Sequence, residues 1–256
     1  MTQDLAGRHA LVTGGGRGIG RAIASALAER GARVTLLARN AAELALTAAA
    51  LPGQSGSVVA DVTDRGQVER AFGEARERAG EIQILVNNAG KAASRKLAKS
   101  DEEFWQQMLA VNLTATYHCT REALPAMLAA NWGRIVNVSS TAGLRGFAYC
   151  TAYCAAKHGV VGMTRALALE VAKTGITVNA VCPGYTDTGV VRDAVANISA
   201  KTGRSEAEAL ETLLSFNPQR RLIRPEEVAN AVVWLCLPGS ESITGQSIAI
   251  AGGEVT

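Results

Sequence analysis

The sequence has no apolar run near the roughly 18 residues that a membrane-crossing helix needs, although 48% of its 256 residues are hydrophobic. Its opening stretch, Met1 to Arg8, is short and polar, so neither export nor insertion is expected, and a cytoplasmic location is. Charge of one sign is also missing. The 26 Lys and Arg residues face 23 Asp and Glu, leaving a formal charge of +3, and no Lys/Arg-rich run occurs. A nucleic-acid footprint is therefore not indicated, while a mildly basic surface still suits a phosphorylated ligand. The five cysteines, Cys119, Cys150, Cys154, Cys182 and Cys236, form no C-x-x-C pair, and their odd number argues against a disulfide framework. Histidine is scarce, and His118 and His158 fall into no metal-ligand spacing. Internal repeats, low-complexity tracts and dividing linkers are absent too, so residues 1–256 are expected to fold as one domain around one core.

Short β-branched or apolar runs alternate with longer segments of helical period, the pattern of repeated strand-helix-strand units. Strands are expected at residues 9–13, 33–38, 57–60, 82–87, 134–139, 177–182 and 247–251. The implied fold class is α/β: a doubly wound Rossmann fold, a seven-stranded parallel sheet with helices on both faces. Between the first two strands Ile19, Ile23 and Leu27 recur every fourth residue, and Gly31 stands where a helix-ending glycine belongs. Ser100 with Glu103 and Ser205 with Glu208 have the spacing of capping boxes, and Pro225 precedes Glu226 and Glu227 at another helix start. Residues 189–218 are polar and weakly periodic, an excursion expected to pass over one face.

Thr13-Gly14-Gly15-Gly16-Arg17-Gly18-Ile19-Gly20 follows an expected strand and opens an expected helix. Glycines there let backbone N–H groups approach a pyrophosphate, and the helix N-terminus adds a favourable dipole. Gly14, Gly16, Arg17, Gly18, Ile19 and Gly20 are thus candidate dinucleotide-binding residues; without the flanking elements the same glycines would only make a tight turn. Sites that prefer NAD place an acid at the end of the second strand. Here Ala38 occupies that position, followed by Arg39, so Arg17 and Arg39 can converge on a 2′-phosphate. NADP(H) is expected over NAD(H); the alternative is that both arginines are ordinary solvated charges.

Tyr153 and Lys157 are four apart in a segment whose helical period continues through Val161, so they share a face. A neighbouring ammonium and the positive nicotinamide both favour the phenolate and are expected to lower the pKa of Tyr153 from its usual value of about 10. Tyr153 can then protonate a forming alkoxide or deprotonate an alcohol. Tyr149 and Tyr185 have no lysine four residues on.

Taken in order, these motifs resemble the short-chain dehydrogenase/reductase family over nearly the whole chain. Asp61-Val62 resembles that family's adenine contact, and Asn87-Asn88-Ala89-Gly90 the turn after strand four beside the cofactor, which adds Asp61, Val62, Asn88, Ala89 and Gly90 to the expected cofactor site. Asn112 resembles the asparagine that supports a proton-relay water, and Ser140, thirteen residues before Tyr153, the serine that orients the substrate. Pro183-Gly184-Tyr185-Thr186-Asp187-Thr188 resembles the segment that holds the nicotinamide carboxamide, which adds Pro183, Gly184, Thr186 and Thr188. The implied catalytic set is Ser140, Tyr153, Lys157 and Asn112, with Tyr153 and Lys157 also touching the cofactor. Two alternatives stay open: Asn112 as a bridge to backbone, and Ser139 in place of Ser140.

Gly133-Arg134-Ile135-Val136-Asn137, Gly175-Ile176-Thr177-Val178-Asn179 and Ile243-Thr244-Gly245-Gln246 are most similar to 3-oxoacyl reductases and 3-hydroxyacyl-CoA dehydrogenases. The resemblance implies hydride transfer between nicotinamide and a ketone or secondary alcohol in a 3-oxoacyl or 3-hydroxyacyl thioester. Related carrier-protein reductases dock their partner with arginines beside the active-site mouth. Asn131-Trp132 and Lys173-Thr174 stand in those neighbourhoods, which tilts the expectation toward CoA. Lys157-His158-Gly159-Val160-Val161-Gly162 is similar to aromatic polyketide ketoreductases, so a cyclic or polyketide-type ketone is the alternative.

The 189–218 excursion is expected to lie over the substrate as a lid. Val190, Val191, Val195, Ile198, Leu213, Leu214 and Phe216 either line an apolar channel or pack its own helices. Arg192, Lys201 and Arg204, like Lys91, Arg95 and Lys96, either meet phosphates or are merely solvated. A non-catalytic dinucleotide-binding sensor would not need the four catalytic residues, and epimerases of this fold go with longer chains than one ending at Thr256. The family also implies a homotetramer, assembled through the two long helices after strands four and five and through the C-terminal segment.

Overall fold

All seven expected strands are present in the computed structural model, which describes residues 3–255. They are β1 (His9–Thr13), β2 (Arg33–Ala38), β3 (Ser55–Val59), β4 (Ile84–Asn87), β5 (Gly133–Val138), β6 (Ile176–Pro183) and β7 (Ser247–Ile250). The helices are α1 (Gly18–Glu29), α2 (Ala41–Ala50), α3 (Arg65–Ala79), α4 (Glu102–Leu109), α5 (Ala115–Ala129), α6 (Thr151–Glu170), α7 (Gly189–Thr202), α8 (Glu206–Leu214) and α9 (Pro225–Cys236). The sheet order is β3-β2-β1-β4-β5-β6-β7, parallel throughout. The chain winds outward from β1 to β3 and then crosses to β4 on the other side of β1. A crevice opens at that reversal, above the carboxyl ends of the strands.

Alternating side chains cover both faces, as a doubly wound sheet requires. Ala10 and Val12 of β1, Val34 and Leu36 of β2 and Val136 of β5 face α1 and α9 through Ile23, Leu27, Val228 and Val232. Leu11, Leu37, Leu85, Ile135 and Val178 face the other layer, where Phe72 of α3 and Cys119 and Met127 of α5 close over them. Expected strand ends are displaced by one or two residues where pairing continues beyond the regular ladder. Gln83 N donates to His9 O before β4 begins, at 3.0 Å, and Ser139 N donates to Val181 O after β5 ends, at 2.8 Å.

One expected helix start is corrected. Asp101, not Ser100, caps α4, its carboxylate accepting from Phe104 N at 2.8 Å, while the Ser100 hydroxyl turns back to Lys96 O. A carboxylate oxygen is the stronger acceptor for an unsatisfied helix N–H and prevails over the neighbouring hydroxyl. The Ser205–Glu208 box forms as expected, and Pro225 opens α9. Residues 189–218 fold into α7 and α8, pinched at their base by the Thr186–Ile223 bridge. Val191, Val195 and Leu213 bury against Ala209 and Ile198, so most of the apolar set packs the two helices on each other, whereas Val190 and Phe216 remain exposed. Among the described residues no helix is long and apolar enough to cross a membrane.

At the amino end of β1, His9 is fully buried, Nδ1 hydrogen-bonded to Gly80 O at 2.7 Å and Nε2 to Thr35 Oγ1 at 2.9 Å. A carbonyl can only accept, so Nδ1 carries the proton and Nε2 accepts from Thr35. Burial holds the His9 pKa below its usual 6.5. The unfolded chain therefore binds a proton that the folded chain refuses, and stability falls as pH drops below about 6.5. His9→Gln, which has no proton to take up there, is expected to show a smaller loss of Tm between about pH 7.5 and 5.5 than the parent chain. Equal losses in a pair of calorimetric scans would rule His9 out as a source of acid sensitivity.

Candidate active site

The glycine turn is shaped by close approaches that leave no room for side chains. Gly14 and Gly18 have φ of 65° and 53°, and a Cβ at Gly20 would collide with the Gly14 carbonyl oxygen. Asn88 locks the turn from the neighbouring strand, donating through Nδ2 to Thr13 O at 2.9 Å and to Gly14 O at 3.3 Å. The Thr13 hydroxyl oxygen in turn accepts from Asn88 N and Ala89 N, each at 3.0 Å. No side chain caps α1, because the residue at its N-cap is Arg17. Its first N–H groups, those around Ile19 and Gly20, therefore point at an open cradle, an arrangement complementary to an anionic phosphate.

At the end of β2, Ala38 offers no acid. Arg39 Nη1 lies 3.6 Å from Asp61 and Arg17 Nη1 lies 3.9 Å from Glu43, with both arginine side chains about four-fifths exposed. Burial works to raise the Asp61 pKa, but the N–H and hydroxyl of Thr63, at 2.9 and 2.7 Å, followed by Arg39, hold it below the usual carboxylate value. Val62 beside it is buried. The second cradle wall is the segment after β6. Gly184 N donates to Ile250 O at 3.0 Å, Thr186 Oγ1 to Gly184 O at 3.0 Å and Thr188 Oγ1 to Thr186 O at 3.2 Å. These bonds curl the chain from Pro183 so that Thr188 reaches the glycine turn, its Cγ2 3.2 Å from where a Gly18 Cβ would sit. The uncapped N–H groups of α1 and the glycines that leave room for close approach fit the phosphates of a dinucleotide.

The catalytic candidates meet above β5. Lys157, 4% exposed, donates from Nζ to Val138 O at 2.9 Å and lies 5.8 Å from the centre of the Tyr153 ring. Gly90 makes this approach possible: a Cβ there would stand 2.8 Å from Asn112 Oδ1 and 3.6 Å from Lys157 Nζ. Asn112 is fully buried on a wide π turn, residues Ala110–Thr114, joining α4 to α5. Its amide bridges backbone, donating to Lys91 O at 2.9 Å and Met108 O at 3.1 Å and accepting from Lys91 N at 3.1 Å. The bridging alternative thus describes its side chain.

Ser139 and Ser140 part ways. The Ser139 hydroxyl donates to Lys157 O at 3.1 Å and is buried against Gly143, whereas the Ser140 hydroxyl accepts from Ala142 N at 3.1 Å and hydrogen-bonds the Tyr153 phenol. Ser140 is therefore the serine that faces Tyr153. In the protein alone the ammonium does not by itself produce the expected lowering of the Tyr153 pKa. Burial pushes its pKa up to about 12 against the opposing pull of the Ser140 bond, and burial brings Lys157 down to about 8. Desolvation of the phenolate outweighs the nearby ammonium, so any lowering of the Tyr153 pKa must come from charge added by a bound cofactor.

Two neighbourhoods thought to flank the mouth do not flank it within one chain. Asn131-Trp132 and Lys173 precede β5 and β6, at the end of the sheet opposite Ser140. There Trp132 is sandwiched between the guanidinium groups of Arg8 and Arg134, 3.8 and 4.6 Å from its ring centre. Sequence spacing gave no hint of Phe147, whose ring contacts Phe216 at 5.9 Å, nor that Tyr185 joins them. His158 bonds Cys154 O on its own helix, and His118 lies against Tyr117.

With this geometry in view, the comparisons with known proteins agree. Residues 8–199 match the family model described as short chain dehydrogenase. The chain is 41% identical over 249 residues to a protein of Streptomyces violaceoruber named as a granaticin polyketide synthase ketoacyl reductase, covering 95% of this chain and 92% of that one. It is 38% identical over 250 residues to a 3-oxoacyl-[acyl-carrier-protein] reductase of Vibrio harveyi, covering 98% of each. A crystal structure of a Phe-to-Trp variant of actinorhodin polyketide ketoreductase with NADPH superposes with a TM-score of 0.92 at 38% identity, over 99% of this chain and 98% of that one. The chain belongs to the short-chain dehydrogenase family, whose members are nicotinamide-dinucleotide oxidoreductases acting on ketone and alcohol groups.

Proposed function

We propose that this chain is an NADP(H)-dependent ketoreductase for a 3-oxoacyl-type ketone, with Ser140, Tyr153 and Lys157 as its catalytic residues. The observation that carries the proposal is their convergence: the Ser140 hydroxyl bonded to the Tyr153 phenol, and Lys157 buried beneath the same ring at the edge of the glycine cradle. Bound in that cradle, NADPH supplies the hydride. Ser140 donates to the substrate carbonyl oxygen, and Tyr153 passes its phenolic proton to that oxygen as it becomes an alkoxide. Lys157, positively charged below about pH 8, steadies the phenolate left behind. Asn112 ties Lys91 to the α4–α5 junction and, by resemblance, supports the water that returns a proton.

The cofactor reading assigns Gly14, Gly16, Gly18, Ile19 and Gly20 to the pyrophosphate, Asp61 and Val62 to the adenine, and Asn88, Ala89 and Gly90 to the face of the ribose and nicotinamide. Pro183, Gly184, Thr186 and Thr188 take the carboxamide. Arg17 and Arg39 give the preference for a 2′-phosphate, supported by the lack of an acid at Ala38. The substrate is read as a thioester of CoA, whose phosphates suit exposed Lys91 and Lys96 beside the mouth. Helices α7 and α8 act as its lid. Assembly as a homotetramer suits the exposed Tyr117 and Leu128 on α5 and Leu169 on α6, and a reducing cytoplasm suits the five free thiols.

The test is oxidation of NADPH, and separately of NADH, with acetoacetyl-CoA as substrate. Turnover preferring NADPH is the expected result. A protein that binds NADPH tightly yet reduces neither acetoacetyl-CoA nor any ring ketone would be a binder rather than a reductase.

A further inference from the structure

Of the five cysteine thiols, Cys119, Cys182 and Cys236 are buried, and only Cys150 and Cys154 are partly exposed. These two stand on either side of the reacting phenol, in the run Tyr149-Cys150-Thr151-Ala152-Tyr153-Cys154. Cys150 is the residue on which α6 begins, and Cys154 N donates to Cys150 O at 2.7 Å, so one helical turn separates them. Residues four apart on a helix share a face, with Cβ atoms about 5–6 Å from each other. Burial raises the Cys150 pKa, and the nearness of Cys154 raises it further, as two thiols do that would repel one another once ionised. Neither cysteine is part of the hydrophobic clusters among the described residues, and no step of ketone reduction uses a thiol.

A disulfide needs Cβ atoms about 3.5–4.5 Å apart, so a bridge between them requires the turn to tighten by roughly 1–2 Å. The start of α6 is built to give. No side chain caps the helix, and Cys150 itself lies outside the helical region, at φ −113° and ψ 28°. Just before it Tyr149 has φ 67°, a left-handed conformation that is costly for a bulky side chain, and its carbonyl accepts from Arg95 N at 2.7 Å. The chain therefore enters α6 through a strained residue rather than a relaxed turn.

We propose that Cys150 and Cys154 are a modification site: a reversible disulfide, formed by exchange with a low-molecular-weight disulfide, that tightens the first turn of α6 and shifts Tyr153 away from Ser140. One protein thiolate attacks the small disulfide, forming a mixed S–S bond and expelling a first small thiolate; the other protein thiolate then attacks the mixed bond and expels the second. The cysteines are oxidised by two electrons, the small disulfide is reduced by the same two, and the two thiol protons end on the released thiols. Thr151, Ala152 and Tyr153 are enclosed in the ring so formed. In a reducing compartment the pair rests as free thiols, and a bridge there is transient and responsive to redox state.

The test is incubation of the folded chain with glutathione disulfide, followed by peptide mass mapping without reductant and by assay of acetoacetyl-CoA reduction with NADPH. The peptide that carries both cysteines is expected to become two hydrogens lighter and to retain no glutathione. Over the same time course kcat should fall about a hundredfold, the order of loss that a misplacement of about 1 Å brings, and dithiothreitol should restore both mass and rate. The double variant Cys150→Ala/Cys154→Ala is expected to keep the parent kcat within about twofold and to be indifferent to the oxidant. A glutathione left on either cysteine, or an unmodified peptide, would overturn the bridge. A complete bridge with kcat unchanged would overturn its hold on Tyr153, and so would inactivation of the double variant as fast as the parent. The activity arm rests on the ketoreductase reading: if no ketone turns over in any form, that reading falls, and the peptide mass still decides the bridge.

Discussion

Tyr153→Phe is expected to lower kcat for ketone reduction by about two to four orders of magnitude while Tm and the NADPH dissociation constant stay close to those of the parent chain. The ring stays, so the packing around it stays; the lost atoms are the hydroxyl that hydrogen-bonds Ser140 and the proton the alkoxide needs. Proton transfer by a positioned side chain contributes that range of rate, and no other phenol is placed to replace it, since Tyr185 lies among the α7 and α8 side chains. The pH dependence separates this role from mere positioning. With the Tyr153 pKa pushed up to about 12, the phenol keeps its proton throughout the working range, while Lys157 near 8 does not keep its charge. Reduction by the parent should therefore be level at low pH and fall above about pH 8, with an apparent constant that belongs to the coupled pair. A Tyr153→Phe protein that retained a tenth of the parent rate would exclude Tyr153 as the proton donor.

The parts of the fold that were legible in the sequence are those dictated by short-range periodicity. Strands buried on both faces read as runs of Val, Ile and Leu, and each was found within three residues because only its ends, where pairing frays into single bonds such as Gln83 to His9, escape the pattern. The glycine turn was legible because the need for glycine there is local, as the positive φ of Gly14 and Gly18 attests. Choices between adjacent residues were not. Ser139 and Ser140 have the same chemistry, and what separates them is the pressure of Gly143 and the Lys157 carbonyl on one of them, a contact across 18 residues. The ammonium's share in the acidity of Tyr153 was overestimated for a related reason: helical spacing reveals the ammonium four residues away but says nothing of the desolvation that outweighs it. The contacts of Phe216 with Phe147 and Tyr185 were invisible because the three residues come from segments that only the folded chain brings together. The mouth was misplaced because Asn131 and Lys173 precede their strands, which in a parallel sheet puts them at the end away from the chemistry.

Replacing Arg17 and Arg39 together by alanine is expected to raise the NADPH dissociation constant about a hundredfold and to leave that for NADH within about threefold, measured by fluorescence titration. Hydrogen bonds between charged partners contribute about 1.5–3 kcal/mol each, and a factor of ten is about 1.4 kcal/mol, so roughly one order of magnitude per guanidinium is the lower figure. The lower figure applies because both side chains are mostly exposed and each already has a carboxylate within 4 Å, Glu43 for Arg17 and Asp61 for Arg39. The phosphate must therefore compete with an existing partner rather than meet a bare cation. Such exposed contacts are screened by salt, so the NADPH preference of the parent should shrink as ionic strength rises, and that of the double variant should not change. Asp61 remains anchored by Thr63 when Arg39 is gone, so the adenine end of the cradle keeps its shape and NADH serves as the internal control. If the two cofactors lose affinity equally, the arginines shape the turn instead of reading the 2′-phosphate, and the preference has to come from elsewhere in the cradle.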